Sequence, residues 1–346
     1  MRISMPLQYA GEPKEAVEQV VELEKAGLDT VWVAEAYGYD SPTLMGYLAA
    51  RTEHVSIGSA ILPMYTRTPT LIAMTAAGLD YLSDGRAVLG LGASGPQVIE
   101  GFHGVPYTKP LGRTRETIEI CRKVWAREER LTHDGQVFQL PLPPEQGTGL
   151  GRPLKIINHP VRPRIPIHVA SLGEKNVEMT AETADGWLPH LFIPEKAESV
   201  WGPSLARGRA KRDPGLGELE ISAGGLLAIG EDEETARLAD LTRPIIALYV
   251  GGMGAKGRNF YNTVAQRYGY EEAAEKIQDL YLAGRKDEAA AAVPDEFVEL
   301  TNLVGPESYV RERVEAFRAA GVTQLNVTPV GGDPARLIAK VKEWAA

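Results

Sequence analysis

Residues 57–95, IGSAILPMYTRTPTLIAMTAAGLDYLSDGRAVLGLGASG, constrain the fold more than any other stretch of the chain. A β-branched and apolar run from Val55 to Ile61 ends in a proline-interrupted loop. A helical pattern opens at Thr68-Pro69, where proline suits a first turn, and stops at Ser83-Asp84-Gly85. A second apolar run, Ala87 to Leu91, empties into the glycine-rich Gly90-Leu-Gly-Ala-Ser-Gly95. Strand, helix and strand in this order put two loops on one edge of a parallel sheet, the edge at which α/β proteins bind ligands.

The same alternation runs through most of the chain. Strands are expected at Arg2–Met5, Thr30–Ala34, Val55–Ile61, Ala87–Leu91, Ile165–Ala170, Gly186–His190, Leu219–Ile229 and Gln324–Thr328. Helices are expected at Pro13–Ala26, Ser41–Thr52 with Ser41 as N-cap, Leu111–Ala126, Gly173–Ala184, Glu307–Ala320 and Pro334–Trp344. Residues 128–164, rich in proline and glycine with a hairpin turn near His133-Asp-Gly135, break the rhythm and read as an insertion on the ligand edge. A second, mostly helical insertion spans 231–300. Eight strands, each followed by a helix, over a core of about 250 residues is the count of a (β/α)8 TIM barrel, and the whole chain, 1–346, reads as one such domain with insertions.

Charge and cysteine usage narrow the function. The net charge is −9 with acids and bases intermixed, and no basic stripe carries interleaved aromatics, so nucleic acid is not an expected partner. Cys121, the one cysteine, lies in a helical pattern and reads as a small buried residue; a disulfide or cysteine-based metal site is excluded. No metal site is expected from the six scattered histidines, and no apolar run suits a membrane span, so the chain reads as cytoplasmic.

Gly90-x-Gly92-x-x-Gly95 matches a dinucleotide fingerprint, but the acid-bearing strand that should follow is replaced by a strong helix. A backbone approaching a flat ring or phosphate, or a ligand-free tight turn, remains. After the fifth strand, Ala170-Ser-Leu-Gly-Glu-Lys-Asn176 places a hydroxyl residue and glycine before a helix whose free N–H groups suit an anion, with Lys175 adding charge; a plain Ser171 cap is the alternative. Gly251-Gly-Met-Gly-Ala-Lys-Gly-Arg258 reads as a solvated connector rather than a phosphate flap. Glu35, Tyr37 and His190 stand at strand ends as acid–base candidates, whereas His168 sits mid-strand and reads as core. Tyr9, Tyr65, Trp187 and Phe192 fall in ligand-edge loops and suit either a flat pocket or packing.

VWVAEAYG (31–38), IGSAILPMYTRTP (57–69), LSDGRAVLGLGAS (82–94), PIHVASLGEKNV (166–177) and ADGWLPH (184–190) together resemble the luciferase-like superfamily, in the branch that uses the deazaflavin coenzyme F420. The resemblance is strongest to an actinobacterial subgroup sharing GLGASGPQV (90–98), ALYVGGMGAKG (247–257) and LYLAGRKDEAAAAVP (280–294). It implies an oxidoreductase that moves a hydride between C5 of F420 and a small organic substrate, working as a homodimer; an FMN-dependent monooxygenase and a weakly catalytic coenzyme-binding protein are the alternatives. It implies that the ring lies against a bulge with a cis peptide at Ala60-Ile61, flanked by Gly92, Ala93, Ser94 and Gly95, and that Ala170, Ser171, Leu172, Gly173 and Lys175 meet the coenzyme phosphate. Related enzymes often carry Asp-His where this chain has Glu35-Ala36, and some carry glutamate where Gly95 stands. Glu35 is therefore the expected carboxylate, with Tyr37 or His190 as proton partner.

Overall fold

The computed structural model describes residues 1–7 and 11–346; Tyr9 lies outside the described residues. Among them, eight parallel strands close a barrel: β1 (Arg2–Pro6), β2 (Thr30–Val33), β3 (Ser56–Ser59), β4 (Ala87–Gly92), β5 (Ile167–Val169), β6 (Gly186–Trp187), β7 (Glu220–Ala223) and β8 (Gln324–Asn326). Each strand pairs with its successor, and β8 returns to β1 through Arg2 opposite Gln324, which closes the cylinder. The helices Pro13–Lys25, Ser41–Arg51, Pro69–Leu82, Pro110–Ala126, Glu174–Thr183, Pro194–Arg209, Glu307–Ala319 and Pro334–Ala345 pack outside. They form where the apolar positions recur at helical spacing, as at Ala16, Val17, Val20 and Leu23 of the first.

The barrel interior is filled, not hollow. The buried Trp32 ring lies 5.3 Å from that of His168, and Gly58 admits it, because a Cβ at Gly58 would lie 2.2 Å from it. His168 is core, with Nε2 3.2 Å from Oε2 of Glu220, and Gly186 leaves room for its imidazole. Trp187 and Phe192 are buried with Trp201 in an aromatic cluster on the barrel's flank, and all three line the groove there rather than the loops at the strand ends. A groove of about 400 Å³ beside that cluster, between Pro194–Arg209 and Glu307–Ala319, lies away from the strand ends.

The strand expected at Leu219–Ile229 is two strands, because the chain turns at Gly224-Gly225 to join a separate three-stranded parallel sheet of Leu226–Ile229, Leu303–Gly305 and Thr328–Pro329. Both glycines are required there: added Cβ atoms would lie 2.2 Å from the Asn326 carbonyl oxygen and 2.0 Å from that of Thr301. The second helix is capped by Asp40, whose carboxylate accepts the Thr43 N–H at 3.3 Å; Ser41 is its first residue. The 128–164 segment joins the C-terminal end of a helix to the start of β5, so it leaves from the edge opposite the ligand loops. Arg127 and Lys155 tie it there, and only its hairpin, His133–Asp134 paired with Gln139–Leu140, climbs back toward the mouth.

Candidate active site

The loops that follow β2 to β6 build the barrel mouth. At the end of β3 the chain bulges through Ala60 and Ile61 before a short strand, Leu62–Pro63, pairs with Leu91 and Gly92. The Ala60–Ile61 peptide is cis, and both residues are half-buried at the rim. This bulge explains the glycines of β4. A Cβ at Gly90 would fall 1.7 Å from the Ser59 carbonyl oxygen, and one at Gly92 would fall 2.8 Å from the Ile61 side chain. Gly90 and Gly92 thus answer to the bulge after β3, and Gly92 is buried beneath Ile61. Ala93, Ser94 and Gly95 continue, half-buried, onto the mouth. Ser94 has φ +58°, a left-handed conformation that costs a non-glycine residue and recurs at functional loops.

After β5, Ser171 is buried with its hydroxyl 2.9 Å from that of Thr180, so it is not a helix cap. The N-cap is Gly173, and no side chain caps the helix Glu174–Thr183, whose first amides face outward from the strand end. Ala170, Leu172 and Gly173 are half-buried along this edge, and Lys175 is exposed without an ion pair among the described residues. Phe260 of the second insertion lies over Gly173, 3.1 Å from where its Cβ would be. The glycine-rich run before it is a connector: Gly251 and Gly252 admit Tyr281, and Lys256 pairs with Asp279.

The acid–base candidates are not one cluster. β2 and β6 are four strands apart in an eight-stranded ring, so Glu35 and His190 stand on opposite sides of the mouth. Glu35 is clamped: Arg67 binds it through both terminal nitrogens, at 2.5 and 3.0 Å, and Ser41 gives Oε2 its N–H at 2.8 Å and its hydroxyl at 3.2 Å. The Glu35 and Arg67 side chains are 8% and 14% exposed, so the pair is largely withdrawn from water. Tyr37 is exposed and its ring sits 6.3 Å from that of Phe102.

His190 lies beyond the strand expected to end with it, since β6 stops at Trp187. Its imidazole packs against Tyr249 at 4.2 Å and Tyr261 at 5.8 Å between ring centroids. Nε2 is buried with no hydrogen-bond partner. Burial pushes the imidazole down to about 4, so the ring is neutral near pH 7. Leu191 follows with φ +55°, a second strained position at the mouth. Arg67, Tyr107, Tyr249 and Tyr261 were not singled out by the sequence reading. For Arg67 a signal existed, a cation in the β3 loop facing an acid at the end of β2; the tyrosines come together only through the tertiary fold.

The description of the luciferase-like monooxygenase family matches residues 1–324. The chain belongs to that family. A Mycobacterium tuberculosis relative, Rv3520c, is 42% identical over 344 residues, 98% of each chain, and is named as a coenzyme F420-dependent oxidoreductase without a stated substrate. Among solved structures, the F420-dependent tetrahydromethanopterin reductase of Methanopyrus kandleri superposes with a TM-score of 0.78 at 23% identity, covering 99% of this chain and 97% of that one. The oxygenating constituent of 3,6-diketocamphane monooxygenase from Pseudomonas putida, solved with FMN, gives 0.65 at 18%, covering 100% and 98%. These two likenesses show the shared fold. No helix among the described residues is long and apolar enough to cross a membrane.

Proposed function

We propose that the protein is an F420-dependent oxidoreductase acting on a small organic substrate. The near full-length likeness to Rv3520c supports the coenzyme, and the buried, unpartnered Nε2 of His190 at the mouth carries the chemistry. The residues present fit the group. The half-buried bulge of Ala60 and Ile61 offers a flat wall, Ala93, Ser94 and Gly95 line its neighbour, and the uncapped helix after Gly173 with the unpaired Lys175 suits a phosphate. When bound, the deazaflavin supplies hydride donation or acceptance at C5.

The protein's part is orientation and proton handling. With its proton on Nδ1, neutral His190 holds a lone pair on Nε2 that accepts a substrate hydroxyl proton once Tyr249 and Tyr261 part to admit it; the protonated ring returns that proton in the reverse direction. Tyr249 and Tyr261 keep water from that nitrogen. Glu35, with four donors on its carboxylate, holds Arg67 at the opposite side rather than accepting the substrate proton, and Tyr37 contributes an exposed rim. Anaerobic oxidation of reduced F420 by a panel of ketones, enones and aldehydes tests the reaction. Turnover only with reduced FMN and oxygen would move the protein to the monooxygenase branch, the reading that the FMN-containing neighbour favours.

Lys175→Ala is expected to weaken F420 binding by about 1–2 kcal/mol, more at low salt, if the amine meets the phosphate; a dissociation constant equal to wild type would return Lys175 to the solvated surface. The chain is also expected to pair with a second copy through helix Pro69–Leu82, which exposes Leu71, Met74, Tyr81 and Leu82 around an open Gly78. Sedimentation velocity should then show a dimer that Met74→Glu converts to monomer, and a monomeric wild type would remove this face from consideration.

A further inference from the structure

The hairpin His133–Leu140 belongs to the insertion that leaves from the far edge of the barrel, yet it is fastened beside the mouth. The Glu116 carboxylate accepts the N–H groups of Gln136, Val137 and Phe138 at 2.8–3.1 Å and meets His133 Nε2 at 3.3 Å. Burial works to raise the Glu116 carboxyl, but these bonds outweigh it and hold it below the usual carboxylate range. So fixed, Phe138 presents its ring to the Arg113 guanidinium at 5.0 Å, and Arg113 lies over Tyr65 at 4.5 Å. Tyr65 stacks on Tyr107 with centroids 4.9 Å apart, and the Tyr107 hydroxyl donates to the Ser94 carbonyl at 3.3 Å. Ser94 is the strained residue of the β4 loop.

We propose that this stack, Phe138–Arg113–Tyr65–Tyr107, is a positioning device through which the hairpin holds the Ser94 loop in the shape that receives the coenzyme; the proposal rests on the F420 reading above. Each member supports the next by ring stacking or cation–π contact, which is effective because Tyr65 is buried and its partners are half-buried. The chain of contacts ends on a loop whose own backbone preference opposes its conformation. Without the buttress that loop is free to relax.

Phe138→Ala removes the outer ring at a half-buried position, and Phe138→Tyr keeps it. The first readout is hydrogen exchange over residues 92–108 in the coenzyme-free protein, which is expected to rise about tenfold in Phe138→Ala and to stay at the wild-type level in Phe138→Tyr. The second is F420 affinity, expected to fall about three- to tenfold in Phe138→Ala and to be rescued in Phe138→Tyr. Unchanged exchange would overturn the proposal, as would faster exchange with unchanged affinity. A wild type that binds no F420 would fail the coenzyme reading, and the same variants titrated with FMN would then decide the role of the hairpin.

Discussion

Glu35→Gln is expected to cost about 3 kcal/mol of stability and most of the turnover. Removing one partner of a buried ion pair leaves the other charge uncompensated, a penalty of roughly 3–5 kcal/mol. Here the orphan is Arg67, whose guanidinium is bound by both Glu35 oxygens and is largely withdrawn from water. Ser41 would also lose the acceptor of its N–H and hydroxyl at the start of helix Ser41–Arg51. Urea unfolding measures the stability term. The double variant Glu35→Gln/Arg67→Met is expected to recover at least half of it, because the stranded cation is gone. A single-variant cost under about 1 kcal/mol, the range of an exposed pair, would show that the clamp is open to solvent. Full loss of activity with wild-type stability would instead return Glu35 to direct proton transfer.

His190→Asn should lower kcat by about 10²- to 10⁴-fold, the usual contribution of a positioned acid–base group, while F420 affinity stays near wild type. The pH behaviour separates this role from packing. With its imidazole pushed down to about 4 by burial, His190 remains neutral as pH falls through the ordinary histidine range. Wild-type turnover should therefore show no limb near pH 6.5 from this group, and any limb it causes should appear near 4. The linkage runs the same way. A depressed folded-state value means that the unfolded chain takes up the proton first. His190 is therefore expected to reduce stability as pH falls from about 6.5 toward 4, and to have no such effect above that window. His190→Phe should flatten this slope. An unchanged slope together with unchanged kcat would remove His190 from both accounts.

Much of the barrel was legible because its signals are local. The run Val55 to Ile61 and the helix opening at Thr68-Pro69 are read from β-branching and from proline at a first turn; β4 and the helix stand where those signals put them, while β3 stops at Ser59 and Ala60-Ile61 leave it as the bulge. The split of the seventh strand was not legible. Leu219 to Ile229 keeps its apolar character across the break, and only the approach of the Asn326 and Thr301 carbonyls makes Gly224-Gly225 a turn. The same limit applies to the site. Glycine at 90 and 92 suggested a ligand, but the atoms that demand glycine belong to β3. Glu35 was visible as an acid at a strand end; that its carboxylate is committed to Arg67, 32 residues later, is a tertiary fact. The hairpin's path from one barrel edge to the other is likewise set by Glu116, which the sequence shows only as one acid in a helix.

A fluorescence titration of the purified apoprotein with F420 and FMN under matched conditions decides which coenzyme the mouth receives. F420 is expected to bind at about micromolar or tighter, with FMN weaker by about tenfold or more. FMN bound more tightly than F420 would contradict it and place the protein with the oxygen-using members of its family.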